Sequence, residues 1–390
     1  MSRPVGASPK ETRALLLLDQ LPGVGPRRIR ALVEAFGSAQ GTLNAPHGTV
    51  AAMVGDQAAR ERANPAHRER VDTGLAEAER LAMRTCSWFD PTYPGGLLQL
   101  ADPPPVLFLR GRIELLDRGG VSVVGSRRCT GRGKNLAHAL GRALGGAGAP
   151  VVSGMALGID AAAHRGTLAA RGDTIAVVGR GADAPYPTSH GRLFRELLER
   201  GLVVSEFLPG TPPLPHHFPR RNRIMAALAD TVVVVEAGAR SGALITVEHA
   251  LDLGRDVWAV PGPIDTPSCA GSNQLLTEGA LPLVSVKSFV ERVADLSAAP
   301  AGRRADAEET GGDSAEVTIC DERTGTTCTV ERPLDEPERR ILRTLGEGPL
   351  HVDELAARAE IDVPVALALL VQLELVGAVE QMPGLLFRAA

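Results

Sequence analysis

Three arginines, an asparagine and a phenylalanine stand within ten positions in the stretch "HHFPRRNRIM" (216–225). A guanidinium group stays charged at physiological pH, and its planar fork donates two parallel hydrogen bonds to a phosphate. The stretch precedes the apolar run "TVVVVEA" (231–237), which is typical of a buried strand. The pattern therefore indicates fixed positive charge at the rim of a sheet, where an anion such as phosphate binds.

Turns rich in glycine and serine follow several strand-like runs. "VSVVG" leads into "SRRCTG", "PVVSG" into "MALGID", and "TVVVVEA" into "GARSGALIT". Each turn opens a helix, so backbone amides and helix dipoles point at one rim of the sheet, where ligands of open α/β folds bind. In the first turn, Arg127 is placed over the N-terminus of a helix that Thr130 is predicted to cap. Several anion sites side by side suit a run of phosphates.

The motifs of nucleotide cofactors are missing from these turns. A dinucleotide fold needs G-x-G-x-x-G after its first strand and an acidic residue at the end of its second. Here the first turn reads "GSRRCTGRG", and the second strand ends in Ser153-Gly154. "GRGKN" lacks the spacing and the Ser/Thr of a Walker loop, and His216 and His217 are adjacent rather than at metal-ligand spacing. We therefore predict no cofactor and no metal.

Four further polar residues are candidates for catalytic groups. Asp160 in "GIDAAAH" is predicted to cap a helix, and His164 to pack against the same turn. Glu236 and Glu248 are the carboxylates that a hydrolase would use, but nothing near them in sequence supplies a partner. The residues therefore favour binding over catalysis, and we predict that the protein is not an enzyme.

Strand-like and helical segments alternate from about residue 119. Seven short β-branched runs, from "VSVVG" to "LPLVS", are mostly separated by segments with helical periodicity, several of which end at glycine. Such alternation predicts a parallel sheet covered by helices on both faces. The fold class is therefore α/β with a Rossmann-like core, which we place at residues 86–294 with a lead-in segment at 86–118.

Residues 1–85 are predicted to form a separate domain of short helices. In "LDQLPGVGPRRIRALVEAFG" (18–37), one helix ends at Leu21, a Gly-Val-Gly turn follows, and a second helix begins at Pro26. This is a helix-hairpin-helix or SAM-like pattern, in which glycine lets backbone amides approach a phosphate. Three arginines stand beside the turn: Arg27, Arg28 and Arg30. Both DNA contact and a plain packing role of this hairpin remain open.

The C-terminal part of the chain divides into a linker and a small domain. Residues 295–336 are small, polar and acidic, which predicts a mostly disordered linker. Residues 337–390 have the pattern of three helices and a hairpin, as in a winged helix. Its third helix, about 363–375, reads "VPVALALLVQLEL" and has no basic residue, although a helix that enters the major groove needs cations. A protein-interaction role is therefore favoured for this domain.

The composition of the 390 residues, 44% hydrophobic and 23% charged, is typical of a soluble globular protein. No apolar run approaches the roughly 20 residues that span a bilayer, and the N-terminus lacks the regions of a signal peptide, so we expect a cytoplasmic protein. Five cysteines at unrelated spacings are expected to be free thiols. Basic residues outnumber acidic ones by 18 to 14 in 119–292, whereas acidic residues dominate by 19 to 9 in 293–390. The excess of positive charge is therefore largest in the predicted sheet domain, since residues 1–118 contain 15 basic and 13 acidic residues.

The sequence resembles the DNA-processing protein A family, also called DprA or Smf, over nearly the whole chain. The motifs that carry the resemblance follow in order: "VVGSRRCTGRG", "VVSGMALGIDAAAHRGTL", "LVVSEFLPGTPPLPHHFPRRNRIMAALADTVVVVEAGARSGALITVEHALDLGRDVWAVPG" and "GSNQLLTEGA". The resemblance implies a Rossmann-like domain that binds single-stranded DNA and forms homodimers, and a protein that loads the RecA recombinase during natural transformation. One departure is Arg132, which precedes Gly133 where the family commonly has a tyrosine.

The resemblance also implies which residues contact DNA. Within the arginine-rich stretch it implies a larger role for Arg221 and Arg223 than for Arg220. The implied DNA-binding residues are Gly125, Ser126, Arg127, Ser153, Gly154, Gly158, Arg220, Arg221, Asn222, Arg223, Ser241 and Gly242.

The predicted function is that of a non-enzymatic, single-strand DNA-binding recombination mediator that protects incoming DNA. With two Trp, two Tyr and eight Phe, the chain has few aromatic rings for stacking bases, so phosphate contacts are expected to supply most of the affinity. Phe218 is the candidate for stacking a base, with a core role as the alternative. A nucleotide hydrolase of the phosphoribohydrolase type is the second hypothesis, and a scaffold that binds partners through its winged helix is the third.

Overall fold

The computed structural model describes residues 8–298, 317–320, 327–330, 336–346, 348–359, 361–375, 378–382 and 386–389. The chain divides into two compact units, Met1–Pro300 and Ala301–Ala390. Within these described ranges, no helix is both long enough and apolar enough to cross a membrane.

Six helices form the N-terminal part of the first unit: α1 (Pro9–Asp19), α2 (Pro26–Phe36), α3 (Ala39–Asn44), α4 (His47–Val54), α5 (Asp56–Glu61) and α6 (Pro65–Arg80). The predicted hairpin is present between α1 and α2, although α1 ends two residues earlier than expected. Gly23 adopts φ +71° in the turn, and Arg28 donates to the Gly23 carbonyl at 2.8 Å. One of the three arginines is therefore bonded to the turn itself.

A nine-stranded sheet forms the centre of the first unit, in the order β1-β2-β6-β5-β4-β3-β7-β8-β9. The strands are β1 (Arg84–Ser87), β2 (Val106–Gly111), β3 (Val121–Val124), β4 (Val151–Ser153), β5 (Thr174–Val177), β6 (Leu202–Ser205), β7 (Thr231–Val234), β8 (Asp256–Ala259) and β9 (Leu281–Pro282). The strands from β3 to β9 are parallel and match the seven predicted strand-like runs. The Rossmann-like fold class is therefore confirmed.

The sheet extends beyond the predicted parallel core at one edge. β2 pairs antiparallel with β6, and β1 pairs antiparallel with β2. β2 comes from the segment that the sequence identified only as a lead-in, and β1 crosses the predicted boundary between that segment and the helical domain. The apolar run "VLFLRG" of β2 is buried on both faces for most of its length, because the N-terminal helices pack on one face of it. The sheet is therefore mixed rather than purely parallel.

Helices cover both faces of the sheet: α7 (Gly95–Leu98), α8 (Gly131–Gly146), α9 (Ile159–Ala169), α10 (Gly191–Arg200), α11 (His217–Ala227), α12 (Ala243–Asp252), α13 (Ala270–Thr277) and α14 (Val286–Ala298). Successive strand residues point to opposite faces. In β7, Val232 and Val234 pack with Met225 of α11, whereas Val233 packs with Leu140 of α8. The sheet thus lies between two helical layers.

The second unit contains a winged helix. It comprises α15 (Glu336–Leu345), β12 (Leu350–His351), α16 (Val352–Ala359), α17 (Val363–Leu375), β13 (Val379–Met382) and β14 (Leu386–Ala389). The three helices and the hairpin were predicted. Two short strands, β10 (Val317–Cys320) and β11 (Thr327–Val330), pair antiparallel within the predicted linker. The prediction of disorder for the rest of the linker falls largely outside the described residues.

Candidate functional site

A pocket of about 600 Å³ opens at the carboxyl ends of the central strands. The strand order reverses at this point, with β4 on one side of β3 and β7 on the other. Connections that leave neighbouring strands in opposite directions diverge, and the crevice between them is where open α/β sheets bind ligands. The turns after β3, β4 and β7 line the pocket together with one face of α11.

The turn after β3 brings Ser126, Arg127 and Arg128 to the pocket. The N–H of Ser126 donates to the carbonyl of Glu236 at 2.7 Å, which ties this turn to the segment after β7. The hydroxyl oxygen of Ser126 accepts from the N–H of Arg128 at 3.1 Å. Both arginines are exposed. A tightly held backbone therefore presents two guanidinium groups at the pocket wall.

The N-terminus of α8 is capped as the sequence predicted. The Thr130 hydroxyl oxygen accepts from the N–H of Gly133 at 3.0 Å. The carboxylate of Glu236 accepts from the N–H of Thr130 at 2.9 Å and from its hydroxyl at 2.7 Å. Glu236 is buried and is held at this helix terminus, where the dipole favours a negative charge. These hydrogen bonds give the Glu236 carboxylate a structural role at the start of α8.

The turn after β4 packs beneath the pocket. The hydroxyl of Ser153 donates to the carbonyl of Val123 at 2.7 Å and is fully buried, so it ties β4 to β3 and does not line the pocket. Gly158 adopts φ +81°, and a Cβ there would clash with the carbonyl of Ser126. Glycine is required at this position because the turns after β3 and β4 are in direct backbone contact.

Arg221 of α11 is buried at the back of the pocket. Its Nη1 donates to the carbonyl of Gly154 at 2.8 Å and to that of Val177. A side chain on Gly154 would overlap the guanidinium group. Burial lowers the pKa of Arg221 to about 10, although nearby Asp160 opposes the shift. Arg221 is therefore charged at neutral pH and places a fixed cation in the pocket wall.

The turn after β7 closes the pocket opposite α9. Ser241 and Gly242 line it at the N-terminus of α12, and the Ser241 hydroxyl oxygen accepts from the N–H of Ala243 at 3.3 Å. The side-chain amide of Asn222 donates to the carbonyl of Gly242 at 2.9 Å. Asn222 thus connects α11 to this turn.

Two aromatic rings stand next to Arg127. Its guanidinium group lies 4.7 Å from the centroid of the Phe218 ring, within the range of a cation–π contact. The Tyr186 ring lies 5.5 Å from that of Phe218, centroid to centroid, and Tyr186 is 38% exposed. The pocket therefore offers aromatic surface beside its positive charge.

Asp160 is the carboxylate that the structure places on the pocket wall. The prediction that Asp160 caps α9 is wrong, because Gly158 occupies the N-cap position and Asp160 lies in the first turn of the helix. The Asp160 carboxylate accepts from the N–H of Ala156 at 3.3 Å. Burial raises the pKa of Asp160, while Arg221 opposes the shift. Within the described part of the chain, no group of three or more His, Cys, Asp or Glu side chains is arranged to hold a metal ion.

Two family models match the chain. The model for DNA recombination-mediator protein A matches residues 84–294, and the model for the DprA winged helix domain matches residues 328–384. The first match includes the whole nine-stranded sheet and the pocket. The chain belongs to the DNA recombination-mediator protein A family. This membership assigns it to DNA processing and recombination mediation.

Relatives in this family are similar over most of the chain. A protein named Smf from Synechocystis is 34% identical over 314 residues, which cover 77% of this chain and 78% of the relative. Protein Smf of Escherichia coli is 36% identical over 75% of this chain and 74% of its own length. The DNA processing protein DprA of Streptococcus pneumoniae is 44% identical over 54% of this chain and 74% of its own.

Two solved structures of DNA processing protein A resemble the fold. The protein from Streptococcus pneumoniae superposes with a TM-score of 0.63 at 33% identity and covers 74% of this chain and 99% of its own. The protein from Helicobacter pylori has a TM-score of 0.51 at 29% identity, with 55% of this chain and 96% of its own covered. The latter structure concerns a mode of binding single-stranded DNA.

In this member of the DNA recombination-mediator protein A family, the predicted arginine-rich wall is split between two faces of α11. Arg221 and Asn222 line the pocket, together with Phe218 and Met225 of the same face. Arg220 and Arg223 are three positions apart and lie on a different face, where both contact Glu206. The sequence predicted that the positive charge of the whole stretch lies at the rim where an anion binds; this is corrected for Arg220 and Arg223, because the 3.6-residue helical repeat separates them from Arg221.

Most of the other predicted residues meet at the pocket. Gly125, Ser126, Arg127, Ser241 and Gly242 line it, whereas Gly154 and Gly158 shape the turn below it. Arg128 and Tyr186 are lining residues that sequence reasoning missed. Arg128 directly follows the predicted Arg127, whereas Tyr186 comes from a separate loop. It lies in the loop before α10, far in sequence from Phe218, and the available signal was the Tyr-Pro pair of "APYPTSH" in a region otherwise poor in aromatic residues.

Proposed function

We propose that this protein binds single-stranded DNA in the pocket between β3, β4, β7 and α11. The observation that carries the proposal is the meeting of Arg127 and Arg221 with glycine and serine turns at the point where the strand order reverses. A pocket of about 600 Å³ has room for a nucleotide segment but is open to solvent on one side, as a continuous strand requires. The family membership supports this ligand.

The contacts divide into phosphate and base recognition. Arg127 and Arg128 are exposed and suit phosphate oxygens, and the Ser126 and Ser241 turns add polar groups. Phe218 and Tyr186 present ring surfaces on which bases of any identity stack. The proposed binding is therefore insensitive to sequence and steeply dependent on salt. The solved structure of the Helicobacter pylori relative, which concerns single-stranded DNA binding, supports single-stranded DNA as the ligand.

The proposed role is that of a cytoplasmic recombination mediator, active as a homodimer, which protects incoming strands and loads RecA during natural transformation. This part rests on the family. It is tested by RecA-dependent ATP hydrolysis on DNA already coated with a single-strand-binding protein. The protein is expected to shorten the lag before hydrolysis. An unchanged lag contradicts the RecA-loading role but leaves the proposed binding of single-stranded DNA unaffected.

A nucleotide hydrolase finds less support in the positions of the carboxylates. Glu248 is exposed on α12 and is not among the residues that line the pocket, and Glu236 is bonded to Thr130. Asp160 faces the pocket, but its carboxylate accepts from backbone and lies beside Arg221. We therefore propose a non-enzymatic function.

The binding proposal is tested by fluorescence anisotropy of labelled oligo-dT across a salt series. Arg127→Ala is expected to weaken binding about tenfold, the value of one hydrogen bond to a charged group. The slope of log K against log salt should become shallower by about 0.7 for each phosphate that the variant no longer neutralises. Arg192→Ala is the matched control, because Arg192 is 88% exposed on α10 and does not line the pocket.

Two results would contradict the assignment. Wild-type protein that does not bind oligo-dT at low salt refutes the single-strand function. If Arg127→Ala binds oligo-dT with the same affinity and salt slope as Arg192→Ala, the DNA binds elsewhere on the molecule.

A further inference from the structure

The second face of α11 is held by a buried network of charges. Arg223 is 2% exposed, and its Nη2 donates to Glu206 at 2.6 Å, while its Nε lies 3.3 Å from Asp102. Arg220 donates from Nε to the same Glu206 oxygen at 3.0 Å. The Glu206 side chain is 1% exposed and directly follows β6. One carboxylate thus joins two arginines of the helix to the sheet.

The N-terminal helices reach this network through Asp19. Asp19 is the last residue of α1, and its Oδ1 lies 3.5 Å from Nη2 of Arg220. Two residues after Glu206, Leu208 belongs to the same hydrophobic cluster as Leu15 and Leu18 of α1. The N-terminal helices therefore contact both the segment that carries Glu206 and an arginine of the pocket helix.

We propose that the N-terminal helices position the DNA-binding face of α11, with Asp19 and Glu206 as positioning residues that act through Arg220 and Arg223. The inference rests on the proposed single-strand function for its ligand. It assigns Arg220 and Arg223 to holding the helix, not to contacting phosphate.

The physical reason lies in the two faces of one short helix. Arg221 and Asn222 bond to the carbonyls of Gly154 and Gly242 across the pocket, so a small rotation of α11 displaces both contacts. A buried arginine keeps its place only while its charge is matched, because an unpaired buried charge is strongly destabilising. Loosening the network on one face therefore changes the geometry on the other.

The test compares Asp19→Asn with Asp72→Asn in the full-length protein. Asp72 of α6 accepts two hydrogen bonds from Arg13 of α1, at 2.6 and 2.8 Å. Asp72→Asn is therefore a matched control, because it removes the same charge and also breaks an ion pair of the N-terminal helices. Burial raises the pKa of Asp19 to about 6, and the measurements are made at pH 8, where the carboxylate is ionised. Oligo-dT anisotropy across salt is the first readout.

Asp19→Asn is expected to bind oligo-dT about fivefold more weakly, at the low end of coupling between sites, with an unchanged salt slope. Asp72→Asn is expected to bind as wild type. Equal affinity of the two variants overturns the inference. Tighter binding by Asp19→Asn with a steeper salt slope also overturns it, because Arg220 would then be a phosphate contact that Asp19 neutralises.

Hydrogen exchange of the DNA-free protein gives a second readout that does not depend on the ligand. Amides of His217–Ala227 should exchange faster in Asp19→Asn than in Asp72→Asn or wild type. Unchanged exchange overturns the positioning role. The two proposals can fail separately. If wild-type protein does not bind oligo-dT but the amides of α11 still exchange faster in Asp19→Asn, the proposed function is refuted and the positioning role of Asp19 is retained.

Discussion

Arg221 and Arg127 both place a guanidinium group at the pocket, but one is buried and the other is exposed. Arg221 is buried and donates from Nη1 to two backbone carbonyls, so much of its hydrogen-bonding capacity is used in shaping the wall. Arg127 is exposed and rests over the ring of Phe218. Direct phosphate contact is therefore expected mainly from Arg127, while Arg221 supplies positive potential from a fixed position.

Tyr186 is expected to stack on a base. Tyr186→Ala should weaken binding to oligo-dT about tenfold, because base–aromatic stacking contributes about 1–3 kcal/mol. Binding to an abasic oligonucleotide of equal length should not change, since its phosphates are the same. Tyr186→Phe keeps the ring and serves as the control. Equal weakening on both oligonucleotides would show that Tyr186 acts through the shape of the loop.

The elements around the pocket are fastened by a buried histidine as well as by glycine turns. His164 of α9 is fully buried, and its Nδ1 lies 2.7 Å from the hydroxyl oxygen of Thr174 in β5. That hydroxyl donates to the carbonyl of Val151 in β4 at 2.8 Å, so the histidine is the donor in the first bond. The chain of bonds ties one helix to two strands. His164 therefore has a packing role, but its hydrogen bond is to strand β5 and not to the turn that the sequence predicted.

This histidine makes stability depend on pH. Burial lowers the pKa of His164 to about 3, whereas the unfolded chain takes up a proton near the ordinary value of about 6.5. Between these values the unfolded state binds more protons, so the contribution of His164 to the free energy of unfolding falls as the pH falls, by up to about 1.4 kcal/mol per pH unit.

Urea denaturation at pH 7 and pH 5 measures the effect. His164→Asn is expected to be less stable at pH 7 and to lose less stability than wild type on acidification. His138→Asn, at an exposed position of α8, is the control. An equal decrease in wild type and His164→Asn would assign the pH dependence to other groups.

At the scale of the whole molecule, apolar side chains are exposed near the β9 edge of the sheet. Ile264 is 99% and Val284 82% exposed, and Val284 lines a groove of about 860 Å³ with Leu136 and Val260. Apolar surface of this kind marks sites of protein association. It supports placing the proposed homodimer contact at this end of the sheet.

Val284→Asp is expected to convert the proposed dimer to monomer, because dimerisation would bury an unpaired charge. Sedimentation equilibrium of wild type and variant measures the change. Val365→Asp is the control, as it adds the same charge at an exposed valine of the winged helix. If the wild-type protein sediments as a monomer, the homodimer is refuted. If Val284→Asp remains dimeric, the dimer contact lies elsewhere on the molecule.

Much of the architecture follows from local patterns in the sequence. The β-branched runs and the glycine-capped helices predict the parallel core, because alternation and capping are properties of neighbouring residues. The Thr130 cap and the turns after β3 and β7 were predicted for the same reason. The antiparallel strands β1 and β2 were not, since β2 pairs with β6, about a hundred residues further along the chain, and β1 joins the sheet only through β2.

The sequence by itself determined the fold class, the family resemblance and the rim at which charged and glycine-rich segments gather. Only the tertiary structure decided which arginines of "RRNR" reach the pocket, because packing turns one face of α11 towards the pocket and the other towards Glu206, which binds Arg220 and Arg223, and Asp19, which binds Arg220. It also brought Tyr186 to Phe218. Contacts between segments far apart in sequence depend on how the layers pack, and residue spacing along the chain does not encode that packing.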